Sequence, residues 1–520
     1  MKNLLFCSYI ICFSLIITGC EDFLKEESET KITSEFLYNE PEGLKRAVTS
    51  LYNYSRRMLN TSESTNWVII DRGTDIDVFR GGGGATFFRF DNLTPANENV
   101  QAYWEGFYFI IGRANEIIHA GENNMDQDND IVKQTVAEAK VFRAQSYFYL
   151  IRKFDKVYFN ITPTTPDNYD EERVYGPDSV QVFTQMYQDL DGAIENLEKT
   201  TAQPGRFTQG AARHIKAKVA MWKNDWDEAI RQVDSIKASG QYELLANPSD
   251  VFGAGDLNHR EAIYTLQFSR DVGGGDGHRM SLIYTPVYNK VAGLDFSYEN
   301  GGYGWGRAYP NKYLLNKFDQ ANDRRWTAYF KHEWYYRDEN TLPAGKQLGD
   351  VAVCTDAQYM EQMHQSCSKF TDFGYTIESP EERLSYKDVM VYRLAETYLM
   401  GAEAYFHKNG GNDPNAIWYF SEIRKRAGLG EFTGTLTLDL ILDEHAKELL
   451  FEGDRWFMLK RLGLLYERAR LYGGETKAEN RTGDFTQPRQ NMKPFHVRWP
   501  IPQSAIDQMG SENFPQNTGY

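Results

Sequence analysis

Over most of this chain apolar residues recur every three or four positions, and over one long stretch they do not. Behind Pro41-Glu42-Gly43 come Leu44, Val48, Leu51 and Tyr52. Phe107, Ile110, Ile111, Ala114 and Ile118 repeat the spacing within 103–119, and Val182, Phe183, Met186, Leu190, Ile194 and Leu197 within 182–197. The run 132–154, VKQTVAEAKVFRAQSYFYLIRKF, is similar. This spacing lines one helical face with apolar side chains, so the pattern predicts four helices, the first starting near Pro41. Helical period returns over 439–465, and the tail after Tyr472 is irregular.

Two segments read as helical hairpins. In 211–236, AARHIKAKVAMWKNDWDEAIRQVDSI, Ala217, Ala220 and Trp222 close one helix, Lys223-Asn224-Asp225 turns, and Trp226, Ala229, Ile230 and Val233 continue the second. Alanines let the two helices approach and the aromatic rings fill the wedge, a tetratricopeptide-like design. Residues 393–426 repeat it, with Pro414 near the start of the second helix. Neither hairpin hides its apolar face alone, so each needs a neighbour.

The exception to helical period is 247–382, rich in Gly, Asn and aromatic residues. One strand is expected there, 262–268. DVGGGDGHR and SYENGGYGWGRAYP read as loops, and loops of this kind carry binding function. Trp104, Trp222, Trp226 and Trp456 fall on helical patterns and are expected in the core.

The N-terminus carries different information. Lys2 precedes an apolar run from Leu4 to Ile17, and Thr18-Gly19-Cys20 follows. A spanning helix needs ~20 apolar residues, which this run lacks. An ordinary secretory signal favours A-x-A-like residues before the cut; Ile17 fits lipoprotein processing better. Residues 1–19 are therefore expected to be a signal peptide, Cys20 the acylated first residue, and the acidic stretch 20–40 a tether. Acyl chains contribute ~0.8 kcal/mol per buried methylene.

Composition narrows the picture. The chain has 520 residues, 41% of them hydrophobic and 25% charged, as in a folded globular protein rather than a disordered one. Loss of Lys2, the one charged residue in 1–19, takes the net charge from −16 to −17. Such a charge opposes nucleic acid. Outside the cytoplasm the two cysteines of the mature body, Cys354 and Cys367, are candidates for a disulfide, with two free thiols as the alternative. A loop of that length would contribute ~3 kcal/mol.

Several chemistries lack their residues. Gly81-Gly82-Gly83-Gly84 has no following Gly-Lys-Ser/Thr. DQDND, 126–130, has Ile131 where a calcium loop needs Gly and Ala137 where it needs Glu, so it reads as an interhelical loop. No G-x-S-x-G elbow and no H-E-x-x-H are present. His445, Glu448 and Glu452 share a helical face and are expected to pair with Arg455 or Lys447. No metal and no cofactor are expected.

Several segments together resemble the SusD/RagB family of glycan-binding lipoproteins: EAKVFRAQSYFYLIRKF (138–154), GRFTQGAARHIKAKVAMWKNDWDEA (205–229), ILDEHAKELLFEGDRWFMLKRLG (441–463), and VRWPIPQSAIDQM (497–509) with FPQNTGY (514–520). Glu21-Asp22 after the cysteine is similar to that group's surface-export tag. The resemblance implies a mostly α SusD-like fold, one compact domain in which tetratricopeptide-like hairpins form a scaffold beside a loop-rich binding region. Its parts would be an N-terminal helical region (41–246), a ligand-binding region (247–382) and a C-terminal region (383–520). It implies a non-enzymatic, surface-exposed outer-membrane lipoprotein that passes an oligosaccharide to a SusC-like TonB-dependent transporter. A protein-interaction scaffold, a peptide-binding member and a glycan-cleaving enzyme are the alternatives.

Sugar rings offer apolar faces to aromatic rings and hydroxyls to polar side chains. Two stretches hold both kinds of group among glycines. Asp75, Asp77, Phe79 and Arg80 lie before the glycine run at 81–84, and Tyr298, Tyr303, Trp305 and Arg307 lie in 297–310. These eight are the candidate ligand contacts. Trp305 also fits a structural segment leading into a helix.

Overall fold

The computed structural model describes residues 34–60, 72–82, 84–166, 168, 174–176, 179–253, 257–271, 277–353, 355, 362–372, 374–475 and 485–520. The signal peptide and Cys20 lie outside them. The longer helices are α1 (Ser34–Asn39), α2 (Pro41–Asn60), α3 (Glu98–Asn123), α4 (Asp130–Phe154), α5 (Val180–Asn196), α6 (Gln209–Lys223), α7 (Trp226–Ala238), α8 (Leu394–Asn409), α9 (Pro414–Arg426), α10 (Leu438–Glu448), α11 (Arg455–Arg461) and α12 (Leu465–Tyr472). The strands are β1 (Asp77–Phe79), β2 (Val157–Tyr158), β3 (Val174–Tyr175), β4 (Ala262–Leu266), β5 (Ala308–Pro310), β6 (Phe330–Lys331), β7 (Ser366–Cys367) and β8 (Val389–Arg393). They form four antiparallel pairs, β1–β5, β2–β3, β4–β8 and β6–β7. The fold is mostly helical, and the expected strand at 262–268 is β4.

Local chemistry sets the helix ends. The Asn129 side chain accepts hydrogen bonds from the amides of Ile131 and Val132, so DQDND ends in the cap of α4. Asn97 caps α3 in the same way. Helix α4 is buried on nearly every side. Across it Arg143 makes a bidentate pair with Asp189 of α5, 2.8 and 2.6 Å. The C-terminal segment holds the other end of α4: Trp499 N donates to the Lys153 carbonyl at 2.8 Å, and Asn517 Nδ2 donates to the Phe154 carbonyl at 2.7 Å.

Both hairpins form. Asn224 takes the left-handed conformation, φ 57°, and Asp225 caps α7. Asp413 caps α9 with Pro414 in its first turn. The hairpins cover one another: Asp234 of α7 accepts hydroxyl hydrogen bonds from Tyr405 and Tyr419 at 2.7 and 2.6 Å. Lys237 Nζ lies 3.6 Å above the Trp418 ring. Trp104 and Trp456 are buried, while Trp222 and Trp226 are half-buried against the core.

Two expectations change. The stretch 20–40 is not tether throughout, because 34–39 is helical and Leu37 and Tyr38 pack on the core. The Tyr38 hydroxyl donates to Glu116 at 2.5 Å. The helical run 439–465 breaks after Glu448, where Phe451 and Gly453 have φ 62° and 90°. Lys369 Nζ takes the freed carbonyls of Glu448 and Leu450, at 2.7 and 3.2 Å.

The expected partners of Glu448 and Glu452 are also corrected. Arg455 pairs with Asp75 and Lys447 with Glu444. Glu448 instead accepts from Arg393 at 2.8 Å, Tyr329 at 2.9 Å, Arg325 at 3.1 Å and Arg426. Glu452 accepts from Arg393 at 2.6 Å and Lys369 at 2.6 Å. Burial pushes the Glu448 carboxyl up, but Arg426, Arg393 and Arg325 overrule it and hold the group well below the carboxylate range. Glu448→Gln strands these cations in the interior. The expected loss is ~3–5 kcal/mol, read as a lower urea midpoint with unchanged slope.

Two buried imidazoles add a pH dependence. Burial lowers His278 from 6.5 to about 4 despite its 2.7 Å hydrogen bond to the Lys387 carbonyl. Burial, reinforced by Arg80, lowers His364 to about 3. Both folded values lie below the unfolded one, so the unfolded chain binds the extra protons. Stability is complete above about pH 6.5 and falls as pH drops through about 4. Urea titrations across this range are expected to show that slope, and His278→Gln to flatten it.

Candidate functional site

The two candidate stretches, more than two hundred residues apart in sequence, meet in the β1–β5 pair. Asp77 faces Pro310, Val78 faces Tyr309 and Phe79 faces Ala308. Just beyond the pair, Arg80 N donates to the Arg307 carbonyl at 2.7 Å and Arg80 Nη1 donates to the Gly306 carbonyl at 2.8 Å. The 305–307 backbone is fixed from its other side. Trp305 N, Gly306 N and Arg307 N donate to the carbonyls of Leu282, Thr285 and Ile283 at 2.7, 2.7 and 2.9 Å. Gly304 makes this approach possible: a Cβ there would sit 2.3 Å from the Thr285 oxygen.

This architecture sorts the eight candidates by accessibility. Asp75, Asp77 and Phe79 are 0, 1 and 3% exposed and have no surface to offer a ligand. Asp75 accepts from Arg455 at 2.9 and 2.7 Å and from Arg468 at 2.7 Å. Burial raises its pKa, and the two arginines overrule that and lower it. Asp77 accepts from the Thr74 amide and hydroxyl, both at 3.0 Å, and from Arg72 at 3.2 Å. The Phe79 ring lies under the Arg72 guanidinium at 5.4 Å. These three residues are struts that set the height of the loop above them.

Arg80, Tyr303, Trp305 and Arg307 are half-buried and Tyr298 is exposed. Gly301 and Gly302, φ 99° and 71°, turn the chain between Tyr298 and Tyr303. Tyr303 stacks on Phe296 at 5.1 Å, and the Arg383 guanidinium lies 4.5 Å over it. Trp305 carries Arg307 at 4.2 Å and Arg279 at 5.8 Å. Arg307 in turn sits against Gly82, where a Cβ would fall 2.9 Å from the guanidinium carbon. The Tyr298 ring rests on Gly374, where a Cβ would approach to 2.9 Å, and Tyr375 follows with 48% exposure.

Three residues of this face escape a sequence reading: Tyr375, Arg279 and Arg383. The Gly374-Tyr375 pair repeats the glycine–aromatic pattern and was the available signal. Nothing local marks the arginines.

Three grooves lie elsewhere, one of about 310 Å³ at Glu122 and Lys140 and two that share Thr201 and Arg206. Of these two, one, about 270 Å³, is lined by Tyr242, Asn258 and Arg260; the other, about 330 Å³, by Lys45, Gln134 and Glu138. None of the three holds an exposed ring. An internal cavity of about 30 Å³ is bordered by Arg152, Lys218, Glu396, His445 and Asp454, room for water rather than ligand.

Cys367 is a free thiol, fully buried, and burial pushes it up to about 11. Its candidate partner Cys354 lies outside the described residues. Among the described residues no cluster of three His, Cys, Asp or Glu is placed to hold a metal, and no helix is long and apolar enough to cross a membrane.

Comparison with known proteins places this geometry. Residues 260–520 match the family model described as SusD family, and 22–221 match one described as starch-binding associating with outer membrane. The chain is 33% identical over 422 residues to the starch-binding protein SusD of Bacteroides thetaiotaomicron, covering 74% of this chain and 72% of the relative. It is 23% identical over 567 residues to a SusD-like protein, P25, of Formosa agariphila, covering 100% of this chain and 99% of that one. A SusD homologue from Bacteroides thetaiotaomicron superimposes with a TM-score of 0.76 at 20% identity, covering 95% of this chain and all of that one. Surface glycan-binding protein A of the same organism, solved with laminarihexaose, superimposes with a TM-score of 0.70 at 19% identity, over 92% of this chain and 99% of that one. These structural likenesses establish the fold. Matched along half of its length by the family model and 33% identical to SusD over 74% of it, the chain belongs to the SusD family.

Proposed function

We propose that this chain is a surface-exposed lipoprotein that holds an oligosaccharide on its aromatic loop face and delivers it to a SusC-like TonB-dependent transporter. The observation that carries the reading is the β1–β5 pairing. It brings two glycine-rich loops together on a face where the rings of Tyr298 and Tyr375 are exposed. Exposed rings on a fixed loop face are what stacking on a sugar requires, because little side-chain entropy is lost on binding.

Tyr298 and Tyr375 serve as the stacking platform, and Arg80 and Arg307 as hydroxyl ligands. Tyr303 and Trp305 act through the guanidinium groups that cover them. The names of the relatives, a starch-binding protein and a glycan-binding protein with bound laminarihexaose, favour a carbohydrate over a peptide. The protein binds without turning over its ligand. Its anchor is the acylated Cys20, and its seat is the outer face of the outer membrane.

Stacked rings contribute about 0.5–1.5 kcal/mol each. Tyr298→Ala with Tyr375→Ala is expected to weaken retention in a glycan affinity gel by about tenfold or more, while the circular dichroism and urea midpoint stay unchanged. Unchanged retention would reject the site. Palmitate labelling of intact cells is expected to mark the wild-type chain and to be lost in Cys20→Ala.

A further inference from the structure

We infer that the saccharide taken by this face is anionic, bearing carboxylate or sulfate groups. The inference rests on the binding reading above and names its substrate class.

Four arginines, Arg80, Arg279, Arg307 and Arg383, gather on the aromatic loops of a chain whose net charge is −16. Two of them lie over one indole, and a third is bound to the backbone beside it. Arg307 and Arg279 lie over Trp305 at 4.2 and 5.8 Å, and Arg80 is bound to the backbone between them through the Gly306 carbonyl at 2.8 Å. The fourth, Arg383, lies over Tyr303 at 4.5 Å. Arg80 and Arg307 hold further partners within the chain; Arg279 and Arg383 are exposed.

The covering matters for what the rings can do. Trp305 carries guanidinium groups, and Tyr303 lies between the ring of Phe296 and Arg383. A neutral sugar that needs bare ring faces finds them at Tyr298 and Tyr375 rather than at these two residues. A guanidinium stacked on a ring keeps its edge N–H donors pointing outward and is held in one plane. That fork matches the paired oxygens of a carboxylate or sulfate, in hydrogen bonds about twice as strong as neutral ones.

Among the described residues, most carboxylates near these loops are engaged elsewhere. Glu299 is taken by Arg337, and Glu378 and Glu382 by Arg270, at 3.6 and 2.5 Å for the latter two. Asp372 accepts from the Ser385 hydroxyl at 2.6 Å and from Thr376. Asp295 and Glu381 are exposed on these loops, as are Arg279 and Arg383.

The test uses the detergent-purified full-length chain and probes matched in backbone but not in charge. The pairs are oligogalacturonates with their methyl esters, and sulfated carrageenan oligosaccharides with their desulfated forms. Calorimetry is run at low and high salt with wild type, Arg279→Gln, Arg383→Gln and Tyr298→Ala. The charged member of a pair is expected to bind about tenfold more tightly than its neutral twin. The margin is expected to shrink with salt and with either arginine substitution. The pair that responds distinguishes carboxylate from sulfate. Equal binding of charged and neutral twins, with no response to either arginine substitution, overturns the inference while leaving the binding face intact. Failure to bind any charged probe overturns it as well. A Tyr298→Ala protein that retains every affinity instead overturns the binding face itself.

Discussion

The carboxylate of Glu448 lies fully buried where four chain segments meet. Arg325 and Tyr329 reach it from the loop region, Arg393 from the end of β8 and Arg426 from α9. Glu261, just before β4, shares two of the same arginines at 2.8 to 2.9 Å. A buried charge is costly unless paired and fully hydrogen-bonded, and a hydrophobic cluster of equal volume would often be no less stable. What the ionic cluster adds is geometry. Each guanidinium fork accepts one arrangement of carboxylates, so the hairpin α8–α9, helix α10 and the loop region are held in one relative position.

That constraint explains how a region with so little regular structure keeps its shape. Among the described residues between 247 and 382 the longest strand has five residues, and most backbone groups lack a ladder partner. Turn hydrogen bonds pair many of them, and buried cations satisfy others. Lys387 Nζ donates to the carbonyls of Phe252 and Thr371 at 2.6 and 3.1 Å, and burial lowers it to about 8. Lys369 serves the broken end of α10 in the same way. Orphan carbonyls in the interior must be paired with something, and here lysine and arginine take the place of a second strand.

Helices were legible because their signals are local. The periodicity of 132–154 placed α4 to within two residues, and the missing two are the turn that Asn129 caps. The hairpin at 211–236 announced its own turn through Asn224 and Asp225. Proximity between 75–80 and 298–307 was not legible, since β1 and β5 have three residues each and no alternation of their own. The buried state of Asp75 was hidden for a related reason. Beside glycines an aspartate looks available, and only Arg455, 380 residues further along, makes it a strut. Charge pairing over such distances has no period and leaves no local trace.

The same struts decide what the site presents. Asp75 and Asp77 hold their arginines inside, so the acidic groups of the first loop spend their charge internally. Arg307 of the second loop, and Arg383 from outside it, lie over rings of that loop instead. A ring beneath a guanidinium supplies attraction without neutralising it, because the ring carries a quadrupole and no net charge. The molecule thereby keeps a cationic patch on a strongly acidic body. Within a Debye length, ~8 Å at physiological salt, an arriving ligand responds to this patch rather than to the distant net charge. Fields of this kind act mainly on encounter rate and orientation. A long saccharide would then be aligned by its charged substituents first, and held afterwards by whatever rings remain bare.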